Sequence, residues 1–209
     1  MEYQRIDFKD GAVVVVVAFD MCSSSRVVES LTLAGDFACF TELLTATKHF
    51  LAAEQKSVPF DPYKFTGDGW ILLFPQRTNG LALVSFLRRL CAFYAKEFRR
   101  RVLPSLADPP SISGLSFGID KGPLIHMTMY GRREYIGRAL TVACRLQNAV
   151  KDKGGSPAYK ALVTNLAFRE HFAEAPNLKV SSASRILRNI NNDAPFRCRK
   201  VVLSWTNAP

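Results

Sequence analysis

Residues 12–19, AVVVVVAF, constrain the fold of this chain more than any other stretch. Five consecutive valines are β-branched and stiff at χ1, which suits a pleated strand better than a helix. The run is too short to span a bilayer. A short apolar run with no polar alternation reads as a fully buried central strand. It ends on Asp20.

A second stretch, residues 63–74 with the sequence YKFTGDGWILLF, reads as strand, tight turn and strand. Gly67-Asp68-Gly69 is the turn, and an Asp-Gly turn taken alone is only a turn. Beside Asp20 it acquires a chemical meaning. Two carboxylates at neighbouring strand ends can hold hard divalent cations against a phosphate chain. After Asp20 the chain reads MCSSSR, and Ser23, Ser24 and Ser25 can cap the helical pattern that follows. A helix N-terminus beside Asp20 is an anion site, although Ser-rich caps also occur without a ligand.

At 209 residues and 48% apolar content the chain fits one domain, residues 1–209, with its core at about 12–205. The formal charge of +10 suits a polyanionic ligand such as nucleic acid, an anionic membrane or a nucleoside triphosphate. The basic residues are scattered and no Gly-rich aromatic strand motif appears, so nucleic acid is not the expected partner. Cys22, Cys39, Cys91, Cys144 and Cys198 are odd in number and form no CxxC pair. Neither a zinc site nor a disulfide framework follows, and reduced thiols point to the cytoplasm. His49, His126 and His171 are isolated. The first residues, MEYQRIDFKDG, carry no apolar core of a signal peptide, and no membrane segment is expected.

Further along, residues 26–55 repeat apolar side chains at helical spacing, with a break at Gly35-Asp36. Residues 57–62 read as a turn, and 80–102 as an amphipathic helix ending in Arg99-Arg100-Arg101, where cations suit the helix dipole. Residues 115–120 read as a strand, Lys121-Gly122-Pro123 as a turn, and 124–130 as the return. Gly131 to Glu134 reads as a second turn. A helix is expected at 137–150, a loop at 151–157, a strand at 161–164 and a short helix from Asn165 to His171. Strands at 178–187 and 196–205 close the chain around a polar turn at 189–195. The sum is an α+β fold with helices on one side of a mixed sheet.

Four motifs, in order and at compatible spacing, resemble the catalytic domain of class III nucleotidyl cyclases, the adenylate and guanylate cyclases. VVVVVAFDMCSSS resembles the family's first strand, an apolar run ending at an aspartate before a phosphate-cradling turn. KFTGDGWILLF resembles its Gly-Asp hairpin, and GLSFGIDKGPLI its Gly-Ile-x-x-Gly-Pro segment. YIGRALTVACRL resembles its helix with Gly at the start and Ala-x-Arg-Leu later. The resemblance implies a ferredoxin-like βαββαβ core with extra C-terminal strands. It also implies a head-to-tail homodimer with shared active sites, each holding two Mn²⁺ or Mg²⁺ ions.

By that resemblance Asp20 and Asp68 are metal ligands, joined by the carbonyl of Met21. Cys22, Ser23, Ser24 and Ser25 fall where backbone amides hold the triphosphate. Lys64 and Glu134 match the base-reading positions, and Arg145 matches the arginine that stabilises the transition state; these three would act from the partner protomer. Thr141 stands where the family places an asparagine on the ribose, and it reaches less far. The family's late phosphate-binding lysine has no clean counterpart, with Arg188 and Lys200 as candidates.

The implied reaction turns a nucleoside triphosphate into its 3′,5′-cyclic monophosphate and pyrophosphate. Lys64 only donates and an ionised Glu134 only accepts, a pair that serves either adenine or a pyrimidine. A compact chain with no sensor domain and no membrane anchor is most similar to the stand-alone pyrimidine cyclases of bacterial antiphage (Pycsar) systems. UTP and cyclic UMP are therefore the expected substrate and product, as an antiphage alarm signal. The alternatives are an adenylate cyclase making cyclic AMP from ATP and a catalytically inactive binding module. Retention of Asp20, Asp68 and Arg145 together speaks against the inactive module.

Overall fold

The valine run forms the middle of the sheet. The computed structural model describes residues 4–151 and 156–203, so part of the expected loop at 151–157 and the strand end at Trp205 lie outside the described residues. The elements are β1 (Ala12–Met21), α1 (Ser24–Ala34), α2 (Ala38–Glu54), β2 (Asp61–Phe65), β3 (Gly69–Pro75), α3 (Gly80–Arg101) and β4 (Leu115–Met129). They continue with β5 (Arg132–Ile136), α4 (Arg138–Ala149), β6 (Lys160–Thr164), α5 (Asn165–His171), β7 (Lys179–Ile186) and β8 (Pro195–Val202). The sheet runs β2-β3-β1-β4-β6-β8-β7, with β5 paired to β4. β1 is antiparallel to both β3 and β4, while β4 and β6 are parallel. The first four strands with α1, α2 and α3 make the expected ferredoxin-like βαββαβ core, and β6 to β8 extend it.

Alternate residues of β1 enter different cores, as the pleat requires. Val15, Val17 and Phe19 pack with Leu31 of α1, Leu43 of α2 and Leu87 of α3. Val14, Val16 and Ala18 pack instead with Tyr63, Leu124, Tyr135 and the α4 residues Ala139 and Ala143. Helices therefore cover both faces of the sheet, which overturns the expectation of helices on one side. An uninterrupted apolar strand has no face suited to water, and α4 covers the second one. The closest approach is at Gly118 of β4, where an added Cβ would meet the Ala143 carbonyl oxygen and the Gln147 nitrogen of α4.

Two local turn signals lose to strand register. Lys121-Gly122-Pro123 does not turn, because β4 runs on to Met129 and these residues lie opposite Val15, Val14 and Val13. The chain reverses at Tyr130 and Gly131, whose φ values are 51° and 71°. Glu134 consequently lies within β5, opposite Met127, and not in a turn. The expected turn at 57–62 also ends early, since Asp61 and Pro62 open β2. β2 is an edge strand, where proline's missing N–H is tolerated.

Candidate active site

Asp20, near the end of β1, lies opposite Gly69 at the start of β3. Asp68 occupies the β2–β3 turn immediately before Gly69. A Cβ on Gly69 would collide with the Phe19 carbonyl, so glycine lets the turn pass close against β1. The Met21 amide donates to the Asp68 carbonyl at 3.3 Å, tying the turn to the strand end. The two carboxylates thus share one small pocket of about 240 Å³, together with Thr66, Trp70, Cys144, Gln147 and Asn148.

The electrostatics of this pocket are unbalanced. The Ser24 hydroxyl donates to Asp68 Oδ2. Gln147 Nε2 lies 3.4 Å from Asp20 Oδ2 and 2.9 Å from Ser116 Oγ. Lys151 Nζ lies 2.5 Å from Asp20 Oδ2. Asp20 Oδ1 is buried and has no hydrogen-bond partner among the described residues. Burial first, then the neighbouring Asp20, push the Asp68 carboxyl up to about 6. Such a pair is relieved by a cation, and an all-oxygen donor set fits Mg²⁺ or Mn²⁺. Among the described residues no group of three or more His, Cys, Asp or Glu side chains gathers as a metal site. Backbone carbonyl and phosphate oxygens would have to complete the coordination.

The start of α1 faces the same region. The first helical hydrogen bond runs from the Val27 amide to the Ser23 carbonyl, so the amides from Ser23 to Arg26 have no intrahelical acceptor. No side chain caps this end, and Ser23 is left-handed with φ of 60°. Cys22 does not join them. Its amide donates to the Gly114 carbonyl at 2.8 Å and its side chain is buried, which removes it from the expected triphosphate cradle. Burial also pushes its thiol up to about 11.

Lys64 and Glu134 meet in a second, larger groove of about 940 Å³ along β2 and β5. Lys64 Nζ lies 3.4 Å from Glu134 Oε2. The Tyr63 hydroxyl donates to the same oxygen at 2.6 Å and accepts the Tyr135 amide at 3.0 Å. The Tyr63 hydrogen bond, followed by the Lys64 charge, lowers the Glu134 carboxyl below its usual range. Trp70, stacked on Phe19, lines both pockets.

Thr141 and Arg145 line neither pocket. α4 buries Ala139, Val142, Ala143 and Leu146, which leaves Thr141 exposed and Arg145 half-buried one turn further on. Arg145 has no hydrogen-bond or ion-pair partner among the described residues. Of the candidates for the late phosphate cation, Arg188 is exposed just beyond β7 and Lys200 lies in β8 opposite Leu162. One chain therefore gathers Asp20, Asp68, Met21 and Ser24 at one point and Lys64 with Glu134 at another. Tyr63, Gln147 and Lys151 are additions that the motifs did not single out. The i, i+4 spacing of Gln147 and Lys151 is the one sequence signal that could have found the latter two.

No protein-family model matches the sequence, and no curated protein is detectably similar in sequence. Solved structures do match. The adenylyl cyclase CyaB from P. aeruginosa superposes with a TM-score of 0.67 at 16% identity, over 95% of this chain and 97% of that one. The guanylyl cyclase Cya2 gives 0.69 at 13% identity, over 91% and 93%. The catalytic core of a rhodopsin-guanylyl cyclase with converted specificity, in complex with ATPαS, gives 0.62 at 13%, over 93% and 97%. The chain has the class III cyclase fold.

Proposed function

We propose that the chain is a nucleotidyl cyclase that converts a nucleoside triphosphate to a 3′,5′-cyclic monophosphate and pyrophosphate. The observation that carries this reading is the Asp20–Asp68 pair, half-relieved by Lys151 and Ser24 and with Asp20 Oδ1 unpartnered. Held by Asp20, Asp68 and the Met21 carbonyl, two Mg²⁺ or Mn²⁺ ions would supply Lewis acidity that lowers the pKa of the 3′-hydroxyl and neutralises the triphosphate. The amides from Ser23 to Arg26 hold triphosphate oxygens at the positive end of α1. O3′ bonds to the α-phosphorus while the bond to the bridging oxygen breaks. Pyrophosphate leaves with the electron pair and the hydroxyl proton passes to solvent. Arg145 stabilises charge growing on the α-phosphate, Thr141 holds the ribose, and Lys64 with Glu134 orients the base.

The working unit in this reading is a head-to-tail homodimer with shared sites. Two observations support it. Thr141, Arg145, Lys64 and Glu134 do not line the carboxylate pocket of their own chain. The β4–β5 ribbon exposes Ile125, Met127, Met129 and Ile136. Strand pairing puts these on one face, together with Glu134. An exposed apolar stripe beside a base-reading carboxylate suits a second copy of this chain.

For the base we propose UTP. Lys64 can donate to the uracil O4 and Glu134 can accept its N3–H. The same pair can serve N1 and the amino group of adenine, so ATP is the second reading, favoured by the likeness to adenylyl cyclase CyaB. The resemblance to stand-alone pyrimidine cyclases supports a second-messenger role in bacterial antiphage defence, exercised in the cytoplasm. No described helix is long and apolar enough to cross a membrane. Incubation with each of the four triphosphates and Mn²⁺, with products identified by mass, tests the reaction and the choice of base. Cyclic UMP is expected; cyclic AMP would move the specificity to adenine. No pyrophosphate from any of the four would sink the enzyme and leave a binding module.

A further inference from the structure

Lys151 has no part in the chemistry above, yet its ammonium sits on a carboxylate that a metal ion needs. Nζ lies 2.5 Å from Asp20 Oδ2, and the two side chains are 38% and 16% exposed. The residue follows the C-terminal end of α4, where its own amide is fixed to the Asn148 carbonyl at 3.2 Å. Gln147, one turn earlier, reaches toward the same oxygen. The ammonium thus reaches the pocket from just beyond the end of a helix that packs on the sheet, its own side chain staying partly exposed. A surface ion pair has little energetic consequence, but Asp20 is largely buried and its second oxygen is unpartnered. Removing Lys151, the one cation on it among the described residues, leaves that charge uncompensated.

We infer that Lys151 is an internal counter-cation of the metal site and competes with the first metal ion for Asp20. A divalent ion brought onto the Asp20 carboxylate meets the like charge of an ammonium 2.5 Å from Oδ2, so the two oppose each other and metal entry favours withdrawal of Lys151. Lys151 then acts as a positioning residue that holds Asp20 ready while raising the metal concentration at which the site fills. The inference rests on the metal-binding half of the proposed function and not on which nucleotide is used.

Mn²⁺ binding to the full chain, without nucleotide, tests it by electron paramagnetic resonance of the free ion. Lys151→Gln is expected to tighten Mn²⁺ binding about five- to tenfold, the lower range of site-to-site coupling, and Lys151→Arg to stay near the parent. The Gln variant should melt below the parent without metal, and saturating Mn²⁺ should erase the gap. Mn²⁺ affinity that is unchanged or weaker in Lys151→Gln overturns the inference. A parent chain that binds Mn²⁺ but turns over no triphosphate would instead overturn the cyclase reading and leave this result standing.

Discussion

The carboxylate pocket and the base groove are built on opposite electrostatic plans. At Asp20 and Asp68, burial and like charge accumulate until one carboxyl is pushed up to about 6 and one oxygen is left unpartnered. In the groove, Glu134 is lowered because Tyr63 and Lys64 already satisfy it. One region still presents an unpartnered carboxylate oxygen beside its single ammonium, whereas the other is already satisfied and, in the proposed function, would have to exchange partners to read a base. The difference separates reactivity from selectivity. Changes in the pocket should alter how fast the reaction runs, and changes in the groove should alter which nucleotide is accepted.

Four measurements would break or sharpen that contrast. The largest effect belongs to Asp68→Ala and Asp20→Ala. Each should lower pyrophosphate release at saturating Mn²⁺ by at least about 10²–10³-fold, the scale of losing transition-state charge stabilisation, without unfolding the chain. Arg145→Ala comes next, with about a 10²-fold loss of turnover and an unchanged thermal midpoint, because no partner is stranded. A large fall in its melting temperature would show that the arginine is structural. Tyr63→Phe should leave turnover on the best substrate within severalfold but shift the ratio of kcat/KM values among the four triphosphates. It also strips the acceptor of the Tyr135 amide, at a cost of about 1–3 kcal/mol in stability by urea titration. Uniform loss across all four nucleotides would erase the distinction between the two regions.

The smallest effect lies at the floor of the groove. Burial pushes Asp61 up to about 6, against the pull of Arg5. Its folded pKa exceeds its unfolded one, so its ionisation disfavours folding. The stability it contributes is full below the ordinary carboxylate pKa of about 4 and is lost as pH rises through 6. Asp61→Asn should therefore melt above the parent at pH 8, with the gap closing between pH 6 and pH 4. A gap that widens on acidification would reverse the assignment.

The unbroken valine run made the central strand legible, and its terminal Asp20 with the Gly67-Asp68-Gly69 hairpin made the carboxylate pair legible too. Both signals are local and carry through the fold unchanged. What failed was non-local. Lys121-Gly122-Pro123 is a turn by composition, but pairing with β1 holds it extended. The side of the sheet taken by α4 leaves no trace in helical periodicity. Tyr63 reaches Glu134 across a register shift between Asp61 and Lys64, which no alternation rule reports. Cys22 fits a cradle by position, yet its amide is committed to Gly114, a residue far along the chain.

Gly118 sets a mechanical tolerance for all of this. With only a hydrogen between β4 and α4, the helix rests directly on the sheet, and its Gln147 nitrogen marks the point of contact. A methyl group inserted there would act as a shim, lifting the helix and drawing Gln147 and Lys151 away from Asp20. The alignment of the acidic pocket is thus governed from beneath the helix, by a residue with no side chain of its own.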